Sequence, residues 1–465
     1  MRPALSRHIY TDPAFYRGLL AITLPIALQN IISLGVNMMD TVMLGQLGDV
    51  AIAAANLGGQ PFMILNILGF GLASGASVLI AQYWGRRDMV RIRQLFTITL
   101  RCAFAASVLF CIGCLLFPQL ILSIYTGEAE VIVAGAEYLS VLALSFLPYS
   151  FSNCYIMCLR AVEQVRVSMV VYGSSFFVNV FFNWCFIFGN LGCPALGVRG
   201  AAVGTLIARC AELVMVLIYM IFIEKRVRFT PRTLFGPTGG LLGDFIRNSV
   251  PVISNELLWG TGFSVLNMIM GRMGSGFVAA YGISNTVNQM VNVFIFGMCN
   301  ATAVTIGRII GEGRAEDARR AAWSTLLLSA ALSLVCTAIL LAGRGPILTL
   351  FAVTPDTRQL ANTFLGLMAV MSIFQSLASN LVVGVLRGGG DVRTTLLLDC
   401  GLLWVFAIPL GLLSAFVLHW SAPVVFVLLR SDNIVKTVLG LLRVKSGRWV
   451  RILTRENTDS ADSPA

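Results

Sequence analysis

Four acidic residues stand inside or at the margins of long apolar runs in this 465-residue chain: Asp40, Glu212, Glu256 and Asp399. A carboxylate at the centre of a bilayer costs roughly 2.5–3.5 kcal/mol on insertion scales, so one that persists there faces a cavity, an ion or a partner. Asp40 closes the stretch Ser33-Leu34-Gly35-Val36-Asn37-Met38-Met39-Asp40, with no basic residue within a turn or two. Apolar surroundings without a positive partner favour the neutral form of such a group, as a proton-coupled carboxyl requires. Glu256 lies five residues after Pro251 and nine after Arg247. Nine residues are about 14 Å of helix, which brings Glu256 close to the bilayer midplane. A site role competes there with a structural pair to Arg430 or Lys436. Glu212 is three residues from Arg209, a spacing that lets the two neutralise each other on one helix face. Asp399, near the start of its run, reads as solvated or paired. Asn179 and Asn183 are an i, i+4 pair on one helix face. Each can offer a carbonyl oxygen to a cation, or hold helices together by an interhelical hydrogen bond. Gln60, Thr205, Glu212 and Gln289 are the further polar residues expected to line a cavity.

Other chemistry finds little support. His8 and His419 lie outside the apolar runs, and no nucleophile–base pair emerges, so an enzyme is not expected. Gly69-Phe70-Gly71 and Gly75 lack the strand that precedes a nucleotide loop and read as close helix packing. Cys111 and Cys114 form a C-x-x-C within an apolar run, where packing outweighs redox chemistry. The net charge of +11 is not gathered into one stripe, which argues against a nucleic-acid partner.

The elements that must position these residues follow from composition. The chain is 57% hydrophobic and only 12% charged, about half the charge usual in soluble domains, and apolar blocks of spanning length recur. Soluble folding, secretion and disorder are thereby excluded. Spans are expected near 19–43, 51–83, 94–117, 132–157, 167–189, 200–223, 244–270, 277–309, 322–342, 360–386, 394–418 and 421–442. The last is interrupted by Arg430, Asp432 and Lys436. The polar, Pro- and Gly-containing segment 224–243 divides an N-terminal six-helix lobe, 1–223, from a C-terminal lobe with its tail, 244–465. With the N-terminus inside, 26 Lys and Arg residues fall in inside segments and only Arg199, Arg272, Arg344 and Arg358 in outside loops. That bias puts both termini in the cytoplasm and requires an even number of spans.

The two halves repeat. A shift of 226 residues lays Pro25 on Pro251, Gly71 on Gly297 and Gly85 on Gly311, and a shift of 227 lays Leu159-Arg160 on Leu386-Arg387. Six spans per half make the repeat parallel, about an axis along the membrane normal, an arrangement that predicts a cleft between lobes and alternating access by rocking. The expected fold is therefore an all-α polytopic membrane protein of twelve transmembrane helices in two six-helix bundles related by pseudo-twofold symmetry.

Across nearly its whole length the chain resembles the multidrug and toxic compound extrusion (MATE) transporters of the multidrug/oligosaccharidyl-lipid/polysaccharide flippase superfamily. The residues that carry this are MMDTVMLGQLGDVAIAAANLGGQPF at 38–62, NVFFNWCFIFGNLGCPALGVRGAAVGT at 179–205, PVISNELL at 251–258, LRGGGD at 386–391 and RSDNIVKTVLGLLRVKSGRWVRILT at 430–454. The resemblance implies a secondary active exporter of cationic or amphipathic compounds, powered by a proton or sodium gradient with no further cofactor. It implies a multi-pass protein of the bacterial inner membrane, working as a monomer. It places Asp40 as the first-helix carboxylate, Glu256 as the seventh-helix glutamate, and Asn179 and Asn183 in the first lobe's cation network, where Asp40 with the two amides would take a monovalent cation. Many relatives carry Asp where this chain has Asn183, and sodium-coupled ones carry an acid in the tenth span, where the nearest match is Ser376. Losing both favours protons, with Asp40 and Glu256 as the coupling pair. The alternative within the superfamily is a lipid-linked oligosaccharide flippase. Its anionic substrate asks for a basic central cavity, for which Arg209, Arg430 and Lys436 are the candidates.

Overall fold

Every backbone N–H and C=O that enters hydrocarbon must be paired within its own segment, and the chain meets this demand with helices throughout. The structure, a computed structural model, describes residues 9–10, 12–273, 275–349 and 354–455. His8, Arg2 and Arg7 lie outside the described residues. In the first lobe α1 runs Pro13–Gly45, α2 Asp49–Gly85 with a break at Gly59, and α3 Met89–Leu116. The fourth span, α4, is Ala129–Leu144 and Phe146–Ala161, bent by 49° at Ser145; α5 is Arg166–Phe188 and α6 Val198–Ile223. The second lobe follows with α7 Leu242–Gly271, α8 Ser275–Gly311, α9 Ala315–Thr349, α10 Pro355–Arg387 and α11 Val392–Val417. The last span, α12, is Ala422–Leu429 and Asp432–Lys445, broken at Arg430 where the sequence loses its apolar run. Among the described residues, nine of these are long and apolar enough to cross a membrane, or ten counting the bent α4. Helix α7 falls short because Asn248, Asn255, Glu256 and Asn267 are spread along it, and α12 because it is interrupted.

The helices extend a few residues beyond most of the expected spans, and their boundaries repeat. Asp49 and Ser275, Met89 and Ala315, Ala129 and Pro355, and Arg166 and Val392 each begin a helix 226 residues apart. Over Asn380–Arg387, α10 winds in wide i→i+5 turns, which accommodate an extra residue. This is where the sequence offset slips from 226 to 227.

The lobes meet symmetrically: α1 lies against α8, its counterpart α7 lies against α2, and α2 also touches α8. Glycines permit this. An ideal Cβ at Gly71 would strike Ile253, at Gly75 Ser249, at Gly311 Gln82 and at Gly85 the carbonyl of Arg308. These approaches gather toward the arginine-rich ends of the helices. Toward the opposite end the apolar clusters stay within single lobes, one around Leu65, Phe146 and Leu139, the other around Ile269, Phe364 and Phe426.

Two non-helical segments fasten the arginine-rich face. After α6, the Glu224 carboxylate accepts from the backbone amides of Arg226, Val227 and Arg228, and Arg93 and Arg101 of α3 donate to the carbonyls of Val227, Leu234 and Gly236. After α12, residues 446–455 cross from one lobe to the other. Trp449 is fully buried, donates Nε1–H to Val444, and packs where a side chain at Gly389 would stand. Arg451 and Arg443 both pair with Asp391, at 2.8 and 2.7 Å. Beyond them Gln82 of α2 donates to Arg451 and accepts from the amide of Leu453, and Arg455 pairs with Asp244 at 2.7 Å. Trp449→Ala should lower stability by about 3–5 kcal/mol, the usual cost of emptying a buried aromatic site. The measurement is thermal unfolding of the purified protein in detergent, with helical content unchanged below the transition.

Candidate functional site

In the first lobe α1, α5 and α6 bring four sequence-selected residues into one chain of hydrogen bonds. Asn183 Nδ2 donates to Asp40 Oδ1 at 2.6 Å and to Asn179 Oδ1 at 3.3 Å, and Asn179 Nδ2 donates to Thr205 Oγ1 at 3.4 Å. The i, i+4 spacing of the two amides on α5 makes this possible. Gly204 of α6 makes it tight: an ideal Cβ there would collide with Asn183 Oδ1, which is buried and has no hydrogen-bond partner. Among the described residues no Lys or Arg lies within ion-pair distance of Asp40. The donor set is hard oxygen only: one carboxylate, amide carbonyls and a hydroxyl. It suits a proton or an alkali cation, not a transition metal, and no cluster of three His, Cys, Asp or Glu occurs among the described residues.

Asn179 and Thr205 also line a cavity of about 500 Å³ inside the first lobe. Asp40 stands behind this polar wall and communicates with the cavity through Asn183. One turn beyond Thr205 on the same helix, Arg209 and Glu212 form the pair expected from their spacing, at 2.7 Å, with Glu212 buried. The Arg209 guanidinium lies 4.8 Å from the ring centre of Tyr149 and 5.9 Å from that of Phe62. Together with Met63, these rings give the cavity a soft, polarisable wall.

Two expected cavity residues are not there. Gln60 sits at the break in α2 and turns its amide back to the carbonyl of Asn56, at 3.3 Å. Gln289 is exposed on α8, while its neighbours Val287 and Asn288 point inward.

The second lobe is organised differently. Glu256 is ion-paired with Arg387 at 2.8 Å, not with Arg430 or Lys436. The alternative of a structural pair holds, but with another partner: Arg387, read as a loop residue, is still helical at the end of α10 and is only 1% exposed. Lys436 instead lies between Asp399 and Asp432, at 2.8 and 2.7 Å, and Asn255 completes the group by donating to Asp399. Arg430 donates to Gln375 and lies over Phe426. Asp40 and Glu256 therefore belong to separate networks, one per lobe, and of the two Asp40 is the one with no cation at ion-pair distance among the described residues. Arg160 and Arg387, counted in sequence among inside-loop charges, are buried between the lobes. The repeated Leu-Arg pair was the one signal that could have set them apart.

The family model described as MatE matches residues 25–185 and 251–413, two stretches whose starts are 226 residues apart. A probable multidrug resistance protein NorM of Thermotoga maritima is 25% identical over 447 residues, covering 96% of each chain. Another of that name from Pseudomonas aeruginosa is 25% identical over 430 residues, covering 91% of this chain and 88% of its own. A solved structure entitled as the outward-facing conformation of a multidrug resistance MATE family transporter of the MOP superfamily superposes with a TM-score of 0.84. It shares 19% identity and covers 95% of this chain and 99% of its own.

Gly204→Ala should overpack the α5–α6 contact at a cost of about 1–3 kcal/mol. The expected result is a lower unfolding temperature together with loss of the Asn183–Asp40 hydrogen bond, read as a changed protonation midpoint of Asp40 by difference infrared spectroscopy.

Proposed function

The chain belongs to the MatE family of multi-pass membrane transporters, and from that premise we propose that it exports cationic or amphipathic compounds across the bacterial inner membrane in exchange for protons. The observation that carries this reading is Asp40: a carboxylate inside a spanning helix, without a basic partner among the described residues, held by Asn183 behind the wall of a large cavity. The relatives are named for multidrug resistance, and the aromatic rings and Met63 of that cavity suit a flat, positively charged molecule.

The positive-inside bias assigns the arginine-rich face and both termini to the cytoplasm. The lobes touch toward that face, and in this reading the coupling ion reaches the cavity from the outside. A proton entering there converts Asp40 from a charged to a neutral acceptor. The Asn183–Asp40 bond weakens, and the cavity loses the negative charge that retains a cation. Proton and cationic substrate thus compete, and release of one is driven by binding of the other. The proton can reset the lobes only by its differential affinity for their two arrangements. The same oxygens suit sodium as well as a proton; Asn183 and Ser376, standing where the resemblance expects acids, are what favour the proton. Glu256, neutralised by Arg387, serves in this reading to hold α7 to α10 and not as the primary proton site.

A lipid-linked oligosaccharide would need a roomy basic cavity. The 500 Å³ cavity has its single guanidinium, Arg209, neutralised by Glu212, and the chamber that holds Arg160 and Arg387 measures only about 30 Å³.

The test is efflux of a cationic dye from proteoliposomes under separately imposed pH and sodium gradients. A pH gradient alone should drive transport and a protonophore should abolish it. Asp40→Asn should reduce gradient-driven efflux by about tenfold or more, since a group that cannot titrate cannot shift the equilibrium, while leaving dye binding measurable. Full gradient-driven efflux by the Asn variant would overturn the reading.

A further inference from the structure

The two arginines of the repeated Leu-Arg pair are the most unusual charges in the molecule. Arg160, near the end of α4, is 8% exposed, and Arg387, at the end of α10, is 1% exposed. One comes from each lobe, and both line a chamber of about 30 Å³ between the lobes. Arg160 donates one terminal nitrogen to Gln29, but its Nε has no partner. Among the described residues, no carboxylate lies within ion-pair distance of it. Arg387 pairs with Glu256 and donates to Ser74 of the other lobe at 3.2 Å, leaving its own Nε unpartnered. Ser74, Ser77 and Asn300 complete the polar lining.

Arg387 is neutralised by Glu256, with Asp399 of the Asp399–Lys436–Asp432 group close by, whereas Arg160 keeps its positive charge buried with no carboxylate at ion-pair distance among the described residues. A buried charge of this kind is ordinarily paired. A water molecule would satisfy an N–H group but would leave the charge. A polyatomic anion such as phosphate exceeds the space, which admits little more than one water-sized body. We propose that this chamber is a binding site for a single chloride-sized monovalent anion, held jointly by Arg160 of one lobe and Arg387 of the other. Because each lobe supplies one guanidinium, the complete site exists only while the lobes are together at the arginine-rich end. The anion is then a ligand of that arrangement and favours it over any arrangement in which the lobes separate there. The proposal rests on the fold and on buried charge, not on the identity of the coupling ion.

The experiment uses the purified full chain in detergent, with chloride titrated against gluconate at constant ionic strength. Chloride should raise the unfolding temperature in a saturable way, by about 3 °C when the site fills. Bromide should substitute, and crystals soaked in it should show one anomalous peak between Arg160 and Arg387. Arg160→Gln should abolish the chloride response, and Arg160→Lys should retain part of it. Should the Gln variant fail to fold, the wild-type titration decides alone. Equal stability in chloride and gluconate, with no halide peak in the chamber, would overturn the proposal. So would a full chloride response in Arg160→Gln. Neither result touches the efflux assay, so the two readings fail separately.

Discussion

The structure turns on a single hydrogen bond: Asn183 Nδ2 to Asp40 Oδ1, at 2.6 Å. An ionised carboxyl in hydrocarbon demands either a cation or a set of donors. In this chain the donors come from α5, which in turn must lie close to α6. The glycine at 204 leaves Asn183 its space, and the amide at 179 passes the connection to Thr205 and the cavity. Removing any member leaves the carboxyl in the same oil with fewer ways to be satisfied.

The lobes share a fold but not an electrostatic plan. Among the described residues of the second lobe, acids within or at the ends of the helices have basic neighbours, Glu256 with Arg387, Asp399 and Asp432 with Lys436, and the fully buried Asp391 with Arg443 and Arg451. Such pairs hold charge in place, because each carboxylate is stabilised by an adjacent cation and neither member gains by changing its state. The first lobe also contains one such pair, Arg209 with Glu212, but leaves Asp40 outside it. Duplicated architecture thus carries two charge arrangements, one lobe with an acid that has no cation at ion-pair distance among the described residues and the other with its membrane-buried acids paired.

Much of this was legible in the sequence. Hydropathy located the helices to within a few residues, because the cost of leaving backbone unpaired in a membrane leaves the chain little choice. The repeat and the acids in spans could be read for similar reasons, and the Arg209–Glu212 pair followed from helical spacing. What failed depended on direction rather than position. Gln60 and Gln289 lie in spans yet do not line the first-lobe cavity, since the face a residue takes changes by roughly 100° per residue, which a run of apolar letters does not specify. Arg160 and Arg387 looked like ordinary charges at the cytoplasmic ends of helices. The packing of one lobe against the other buries them, and the choice of Arg387 as the partner of Glu256 follows from the packing of α10 on α7 within the second lobe.

The segment 446–455 lies C-terminal to every helix it ties down, yet through Gln82, Asp391 and Asp244 it grips both halves of the molecule. During synthesis it leaves the ribosome after both bundles have entered the bilayer. The halves must first find each other through the glycine-lined helix contacts and polar links such as Arg387 to Ser74, without the tail, and the clasp across them closes as one of the last events of assembly.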